Sequence, residues 1–322
     1  MKMFLKILAG IVVVLLVVVA GVYVWAGWAT NRRLATTFQA HTVDFPIPFP
    51  LDPAEVTSLG LTPEAASQLA LQRAVERGKH LVTARYPCTA CHGQNFGGGT
   101  MVDAFPIGTL LGPNLTSGTG GVTAQLTPTQ WDHIVRHGIL HDGKAAVMPS
   151  EDFLEMSDQE LSDIVAYIKS VPPVNNTVPK PAFGPLGKFL VATGELQPAA
   201  ELIQHDKPHK VTPPVASASA EFGKHLAGTC VGCHRPDYTG GLIPGGDPSW
   251  PPARNLTPSP DGLQGWTYAQ FTAAVREGKR PDGTALRAPM TEVLPFLRQA
   301  TDTELQALWA FLQSLPPAAT KQ

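Results

Sequence analysis

The chain has 322 residues, a length typical of about two domains. Its formal net charge of −2 excludes the global basic field that favours nucleic acid binding, so we expect no nucleic acid partner. The hydrophobic share of 43% is ordinary for a globular protein, whereas 30 glycines and 31 prolines predict that much of the chain is loop.

An uncharged apolar segment occupies residues 7–30. A helix that crosses a bilayer needs about 20 such residues. Tyr23, Trp25 and Trp28 lie near the end of the segment, where aromatic rings favour the membrane interface. The alternative is a cleaved signal peptide, whose apolar region usually has about 7–15 residues. We therefore expect residues 1–30 to form an uncleaved transmembrane anchor.

An irregular connector follows this anchor, at residues 31–72. Its prolines at residues 45–50 are typical of an extended, polyproline-like strap, which we interpret as a passive spacer rather than a recognition element. Thr62 and Pro63 then predict the start of a helix, because a threonine cap and a first-turn proline are favoured there. Gly78 is a plausible break in that helix.

A Cys-x-x-Cys-His motif occurs twice in the chain. On a helical turn, positions i, i+3 and i+4 share a face, so the two thiols and the imidazole of each motif point the same way. This arrangement is that of a covalent haem attachment site, in which the histidine reaches the iron. The residues are Cys88, Cys91 and His92 in the first motif, and Cys230, Cys233 and His234 in the second.

The alternative is a pair of redox or zinc Cys-x-x-Cys motifs that happen to precede histidine. The chain contains four cysteines, and both motifs together use all of them. In addition, a zinc site built from two such pairs usually has a gap of only about 20 residues between them. The sequence therefore predicts two covalently bound haem c groups with their iron.

An internal repeat surrounds the two motifs. Each copy has a Gly-Lys-His-Leu segment before the motif, an Asn-Leu-Thr segment after it, two predicted capping boxes and a final Pro-Pro pair. We interpret the copies as two helical domains of one kind, each of about a hundred residues. The matching segments are 78–81 and 223–226, 114–116 and 255–257, 127–130 and 267–270, 157–160 and 301–304, and 172–173 and 316–317.

The repeat divides the chain into six predicted segments. They are residues 1–30 (transmembrane anchor), 31–72 (extended and helical connector), 73–173 (haem c domain 1), 174–217 (proline-rich interdomain linker), 218–317 (haem c domain 2) and 318–322 (C-terminal tail).

A methionine follows each proximal histidine at the same spacing. Met148 lies 56 residues after His92 (148 − 92), and Met290 lies 56 residues after His234 (290 − 234). A single methionine is usually core filler, but the repeated spacing predicts that each thioether is the sixth ligand of its iron. Met156 is the nearest competitor and has no counterpart in the second copy.

Other histidines and two arginines also fall at informative positions. His80 and His225 are equivalent in the repeat, and bis-histidine ligation is the alternative to methionine for them. We interpret these two, together with His133, His137 and His141, as histidines that lie on the surface or contact an iron ligand without binding the iron. Arg136 and Arg276 are predicted cofactor-binding residues that neutralise haem propionates; a solvated helix-face position is the alternative.

Acidic residues crowd after Met148, and basic residues precede Met290. An acidic rim on the first domain and a basic rim on the second would steer redox partners or dock against each other. The alternative is a set of solvated helix starts. The acidic residues are Glu151, Asp152, Glu155, Asp158, Glu160 and Asp163, and the basic ones are Arg276, Lys279, Arg280 and Arg287.

The chain resembles a membrane-anchored dihaem cytochrome c with two class I domains, and is similar to the cytochrome subunits of periplasmic alcohol, aldehyde and sugar-acid dehydrogenases. The resemblance rests on the two haem motifs, on Met148 and Met290, and on the Asn-Leu-Thr and Pro-Pro segments. It implies an all-α fold, in which an N-terminal transmembrane helix precedes two tandem class I cytochrome c-like domains.

The resemblance also implies a function. Such a protein is not itself an enzyme: it carries electrons between a periplasmic or membrane donor and an acceptor of a respiratory or photosynthetic chain, with redox proteins of a membrane complex as partners. Haem is attached outside the cytoplasmic membrane in similar bacterial proteins, which implies a single-pass inner-membrane anchor and periplasmic haem domains. One alternative is a dihaem peroxidase, which needs one iron with an open sixth position. The other is a cytochrome subunit of a dehydrogenase, although the three-haem subunits of this kind have one haem motif more than this chain.

Overall fold

The computed structural model describes residues 1–243, 246–247 and 249–321. Within the predicted domain 218–317, Pro244, Gly245 and Pro248 lie outside the described residues. In the predicted tail 318–322, Gln322 also lies outside them. The boundaries of the six segments given above stay a prediction.

The N-terminal helix α1 runs from Lys2 to Leu34, beyond both ends of the apolar segment. Its most apolar window has a mean hydropathy of 3.1 and is not buried against the rest of the protein. Length and composition thus make α1 a candidate membrane anchor or signal sequence.

The first haem domain begins with two helices from the connector. Thr62 caps α3 through a hydrogen bond from the backbone of Ala65, as the sequence predicts. The predicted break at Gly78 is wrong, because α3 continues to His80 and a π-helical turn follows at Leu81–Arg85. The elements of this domain are α2 (Pro53–Ser58), α3 (Pro63–His80), α4 (Cys88–His92), β1 (Gly99–Ala104), β2 (Gly108–Gly112), α5 (Pro128–His137), a 3₁₀ turn (Ser150–Phe153) and α6 (Asp158–Ser170).

The proline strap is part of this domain rather than a free spacer. Phe45 is buried in the same core cluster as Trp131 and Leu161. The hydroxyl of Ser162 on α6 donates a hydrogen bond of 2.7 Å to the carbonyl of Pro46. The passive-spacer interpretation is therefore wrong, since burial of the Phe45 ring holds the strap against the domain.

The predicted interdomain linker contains β3 (Ala182–Phe183), α7 (Pro185–Thr193) and α8 (Ala199–Leu202). β3 pairs with β2, and β2 with β1, in a three-stranded antiparallel sheet. The helix α7 packs on α1, where the Thr30 hydroxyl donates a hydrogen bond of 2.7 Å to the Lys188 carbonyl. The segment is thus structured and joined to the first domain and to α1.

The second haem domain repeats the helices of the first. The structure confirms the four predicted capping boxes, two in each domain. The mostly helical fold is also confirmed, and the small sheet is an addition to it. The elements are α9 (Ala220–Ala227), a 3₁₀ turn (Gly228–Cys230), α10 (Val231–His234), α11 (Tyr268–Glu277), α12 (Met290–Leu297) and α13 (Asp302–Ser314).

Candidate functional site

The first haem motif forms the short helix α4, and the second runs from Cys230, the end of a 3₁₀ turn, into α10; the cysteines and histidines of both are partly buried. The Nδ1 atom of His92 lies 3.0 Å from the carbonyl oxygen of Pro113, and Nδ1 of His234 lies 2.7 Å from that of Arg254. Because Nδ1 donates to these carbonyls, Nε2 of each ring keeps its lone pair for a metal. Burial lowers the pKa of both histidines, which favours the neutral, ligating form.

The Asn-Leu-Thr segments hold those carbonyls in place. Asn114 follows Pro113 directly, is fully buried, and donates from its side-chain amide to the carbonyl of Val174 at 2.7 Å. Its carbonyl oxygen accepts from the backbone and the hydroxyl of Thr116, at 2.9 and 2.8 Å. The repeat is therefore a clamp between the loop that orients the histidine and the chain that follows the last helix of the domain.

The second domain has the same clamp. The amide of Asn255 donates to the carbonyl of Ala318 at 2.7 Å, and its oxygen accepts from the backbone and the hydroxyl of Thr257 at 2.8 and 2.7 Å. Asn255 follows Arg254, whose carbonyl accepts from His234.

The residues around the first motif fit a covalently attached porphyrin. Tyr86 and Trp131 are buried in the core cluster on which Cys88 and Met148 pack. The hydroxyl of Tyr86 and the indole Nε1 of Trp131 have no hydrogen-bond partner among the described residues. Buried donors are normally paired, so an apolar cofactor that brings carboxylate acceptors suits this site.

The donor set also fits haem c. The four free cysteines stand in two i, i+3 pairs, each beside a histidine with an available Nε2. Behind the first pair, a Cβ atom on Gly112 would lie 2.1 Å from the carbonyl oxygen of Cys91. Glycine at this position therefore lets the following strand pack directly on the motif.

The two proposed sixth ligands occupy different local structures. Met148 is partly buried and packs on the core of the first domain, whereas Met290 is the first residue of α12. Met156, the competitor, is 1% exposed within the core cluster. Methionine ligation of the two irons stays a prediction.

Arg136 and Arg276 bond to protein groups at the start of the last helix of each domain. Arg136 is fully buried and donates to Asp132, to the Met156 carbonyl at 3.0 Å, and to Asp158 at 2.8 Å. A solvated position is thus wrong for Arg136. Arg276 donates to the carbonyl oxygens of Arg298 and Ala300. These contacts with protein groups are sufficient to hold both arginine side chains in place. Their contact with haem propionates stays a prediction.

The equivalent histidines bind carboxylates of the opposite domain. Nε2 of His80 lies 2.9 Å from an oxygen of Glu304, and Nε2 of His225 lies 3.0 Å from both oxygens of Glu160. His225 is therefore buried at a domain interface and not on the surface. Because the Nε2 atom of each histidine is hydrogen-bonded to a glutamate, these contacts do not favour bis-histidine ligation of the irons.

Three of the acidic residues after Met148 are buried, so they form neither an exposed rim that steers partners nor solvated helix starts. Asp158, Glu160 and Asp163 are buried, each with a cationic or histidine partner. Asp152 lies against the second haem motif, since a Cβ on Gly232 would be 2.5 Å from its Oδ1. Burial and the nearby charge of Glu151 raise the pKa of Asp152 to about 7. Most of this acidic segment therefore serves internal packing and the interface between domains.

The histidines before Met148 separate into two kinds. His141 is exposed, as predicted, whereas His137 is fully buried and lies beside His41, His205 and His209. The surface interpretation is wrong for His137. Sequence reasoning missed its three neighbours, because they come from the connector and the predicted linker, and no spacing rule joins them.

Comparison with known proteins identifies the class. Residues 73–168 match the family described as cytochrome c oxidase, cbb3-type, subunit III, and residues 220–316 match the cytochrome c family. The chain therefore contains two cytochrome c-type domains, each of which binds a haem c covalently.

Three individual relatives are named as cytochrome subunits of dehydrogenases. The chain is 29% identical over 300 residues to the cytochrome c subunit of the quinone alcohol dehydrogenase of Gluconacetobacter polyoxogenes, covering 83% of this chain and 60% of that protein. It is 29% identical over 276 residues to the gluconate 2-dehydrogenase cytochrome c subunit of Pantoea cypripedii, covering 75% and 59%. It is 27% identical over 266 residues to the fructose dehydrogenase cytochrome subunit of Gluconobacter japonicus, covering 76% and 53%. The chain spans about half to three fifths of the length of these relatives.

Proposed function

We propose that this protein is the membrane-anchored cytochrome subunit of a periplasmic dehydrogenase, and that it passes electrons through two histidine–methionine haems. The observation that carries the proposal is the repeated 56-residue spacing from His92 to Met148 and from His234 to Met290. Two closed, six-coordinate irons suit electron transfer, whereas a peroxidase needs one open iron. We therefore set the peroxidase alternative aside.

The relatives support a dehydrogenase as the electron donor. They are named as cytochrome subunits of alcohol, gluconate and fructose dehydrogenases, which all oxidise hydroxyl groups. Such an oxidation releases two electrons, and a haem iron accepts one at a time through its ferric and ferrous states. Two haems in one chain match this stoichiometry.

The protein residues bind and orient these haems. Pro113 and Arg254 fix the two proximal imidazoles through their carbonyls, and the asparagine clamps fix the carbonyls. The reciprocal pairs of His80 with Glu304 and His225 with Glu160 hold the domains together. A fixed domain arrangement keeps the distance between the haems constant, which electron transfer between them requires.

The helix α1 supports an anchored, periplasmic location. We propose that it crosses the inner membrane once and leaves both haem domains on the periplasmic side. Anchoring would keep the haems near the membrane surface, where a quinone-linked dehydrogenase and a membrane acceptor both have access.

The test uses the full chain, purified from its native membrane with bound partners and in a detergent that preserves them. An alcohol, gluconate or fructose is added, and reduction of both haems is followed by absorbance. We expect rapid reduction by one of these substrates and co-purification of a dehydrogenase. Tight binding of carbon monoxide or peroxide at one haem, with no reduction by any substrate, would instead support the peroxidase.

A further inference from the structure

A cluster of three histidines, one buried and two partly buried, contains none of the residues of the two haem motifs. Ligand atoms of His41, His137 and His209 all lie within 4.8 Å of one another. His41 follows α1, His137 ends α5, and His209 belongs to the segment between the haem domains. The fold therefore brings three distant parts of the chain together at one point.

The hydrogen bonds assign the ring protons of this cluster. Nδ1 of His41 lies 2.9 Å from the carbonyl of His205, and Nδ1 of His209 lies 3.1 Å from that of Leu154, so both atoms donate. Nε2 of His205 donates to the carbonyl of Ala200 at 2.8 Å, which leaves its Nδ1 as an acceptor. Nδ1 of His137, at 3.1 Å from that acceptor, must then donate.

All three neutral rings consequently present a lone pair at Nε2. The Nε2 atoms of His137 and His209 are 3.1 Å apart, and Nε2 of His41 is buried without a hydrogen-bond partner among the described residues. Facing lone pairs repel, so this arrangement needs a cation between them. A donated Nδ1–H on each ligating ring is the usual outer contact of a metal-bound histidine.

Asp132 supplies a fourth ligand atom. Its side chain is fully buried, and Oδ2 has no hydrogen-bond partner among the described residues. Oδ2 lies 3.6 Å from Nε2 of His137, while Oδ1 accepts from Arg136 at 2.6 Å. Burial raises the pKa of Asp132, and a bound cation would favour its charged form.

We propose that His41, His137, His209 and Asp132 bind a zinc ion in a closed tetrahedral site. Zinc–nitrogen distances of about 2.0–2.1 Å place two ligands of a tetrahedron about 3.3 Å apart, close to the observed spacing of His137 and His209. Three imidazoles and a carboxylate suit a divalent ion of the zinc type, and no thiolate selects monovalent copper. The inference is independent of the proposed function.

A second proton on His137 is the competing explanation, since an imidazolium would also separate the lone pairs. That proton would lie between Nε2 of His137 and Nε2 of His209, which are 3.1 Å apart, and would leave Nε2 of His41 buried without a hydrogen-bond partner among the described residues. Neutral rings at neutral pH are the form that binds metal.

Such a site would act as a cross-link. It joins the chain that leaves the membrane anchor, the first haem domain and the segment between the domains. Because a closed site has no position for substrate, its role is structural, and it fixes the first haem domain relative to α1.

The test measures zinc in the full chain with both haems attached. Elemental analysis should find one zinc per two haem irons, and zinc-edge X-ray absorption should show about four nitrogen or oxygen neighbours near 2.0 Å, with imidazole scattering. His209→Ala and Asp132→Asn should weaken zinc binding at least 10-fold. His141→Ala, an exposed histidine of the same region, should leave it unchanged.

Wild-type protein keeps the proposal testable if the variants do not fold. After treatment with a chelator, added Zn²⁺ should bind once and raise the unfolding temperature, with two haems retained. Failure of the treated wild type to bind Zn²⁺, or preferential retention of another metal, would overturn the zinc assignment. The number of haems per chain is measured in the same samples, so a failure to bind zinc is distinguished from a loss of the haems on which the proposed function depends.

Discussion

Nε2 of His225 lies 3.0 Å from both carboxylate oxygens of Glu160, and this contact crosses from the second haem domain to the first. The reverse contact joins His80 of the first domain to Glu304 of the second, at 2.9 and 3.0 Å. Both glutamates are the third residue of the last helix in their domain. The repeat therefore packs against itself through equivalent residues, but the two contacts differ in burial.

That difference predicts unequal costs for Glu160→Ala and Glu304→Ala. Glu160 is 4% exposed and also pairs with buried Arg85, so its loss leaves uncompensated buried polar groups and should cost about 3–5 kcal/mol in the free energy of unfolding. In the pair of His80 with Glu304, the His80 side chain is 36% exposed. Loss of this pair should therefore cost about 1 kcal/mol or less in the free energy of unfolding. Urea unfolding followed by circular dichroism measures both.

Each substitution removes one capping-box partner from equivalent helices, so the difference between the variants reports on the burial of Glu160 and its pair with Arg85. Equal losses of stability would contradict the prediction that burial of Glu160 and its pair with Arg85 make this contact the stronger of the two.

Glu160 also predicts how stability depends on pH. Burial by itself would raise the pKa of this carboxyl, but the hydrogen bond from His225 and the charge of Arg85 outweigh it and hold the pKa at about 2. A depressed folded-state pKa adds stability above the unfolded value near 4.5, and this stability is lost as pH falls toward 2. Between pH 4.5 and 2, wild-type stability should therefore fall more steeply than that of Glu160→Gln. Parallel curves from denaturant unfolding at each pH would contradict the assignment.

Gly78 lies where α3 crosses α6, and Gly223 lies where α9 crosses α13. A Cβ on Gly78 would lie 2.0 Å from the carbonyl oxygen of Asp163, and one on Gly223 would lie 1.9 Å from that of Ala307. Alanine at either position must therefore separate the helices, at a cost of about 1–3 kcal/mol or more in the free energy of unfolding. Lys79→Ala, at an exposed neighbouring position, should stay within about 0.5 kcal/mol of wild type. Thermal and urea unfolding of the three variants provide the comparison.

Local patterns predicted much of this structure. The four capping boxes and the left-handed caps at Gly138 and Gly278 follow from residues within one or two turns of each other. The Asn-Leu-Thr segments were visible as repeats, although their role as clamps required the contacts to Val174 and Ala318.

Contacts between distant segments were not predictable in the same way. The sheet joins a glycine-rich stretch to two residues of the predicted linker, and neither has the alternating pattern of a half-buried strand. His41 and His205 are 164 residues apart in sequence, so nothing local signals their contact. Arg136 looks like any helix-face arginine until the burial of Asp132 and Asp158 beside it is known.

Ligation by methionine gives the last prediction. A thioether favours ferrous iron more than a second imidazole does, so both haems should be low-spin, of relatively high potential, and closed to external ligands. Met148→Ala should open only the first haem, lower its potential and let carbon monoxide bind there. Met290→Ala should do the same at the second haem alone. Absorption spectra, including the methionine–iron charge-transfer band, and redox titration of the full chain measure these changes.

Met156→Ala is the matched control, because Met156 is a buried methionine of the first domain that no repeat pairs with an iron. Truncating a buried methionine costs about 2–5 kcal/mol in the free energy of unfolding, so this variant should lose stability while its haem stays closed. If Met156→Ala opens the first haem and Met148→Ala does not, the equal spacing has assigned the wrong thioether. If neither variant opens it and the charge-transfer band is absent in wild type, histidine ligation is the remaining choice, and His80→Ala and His225→Ala then test it.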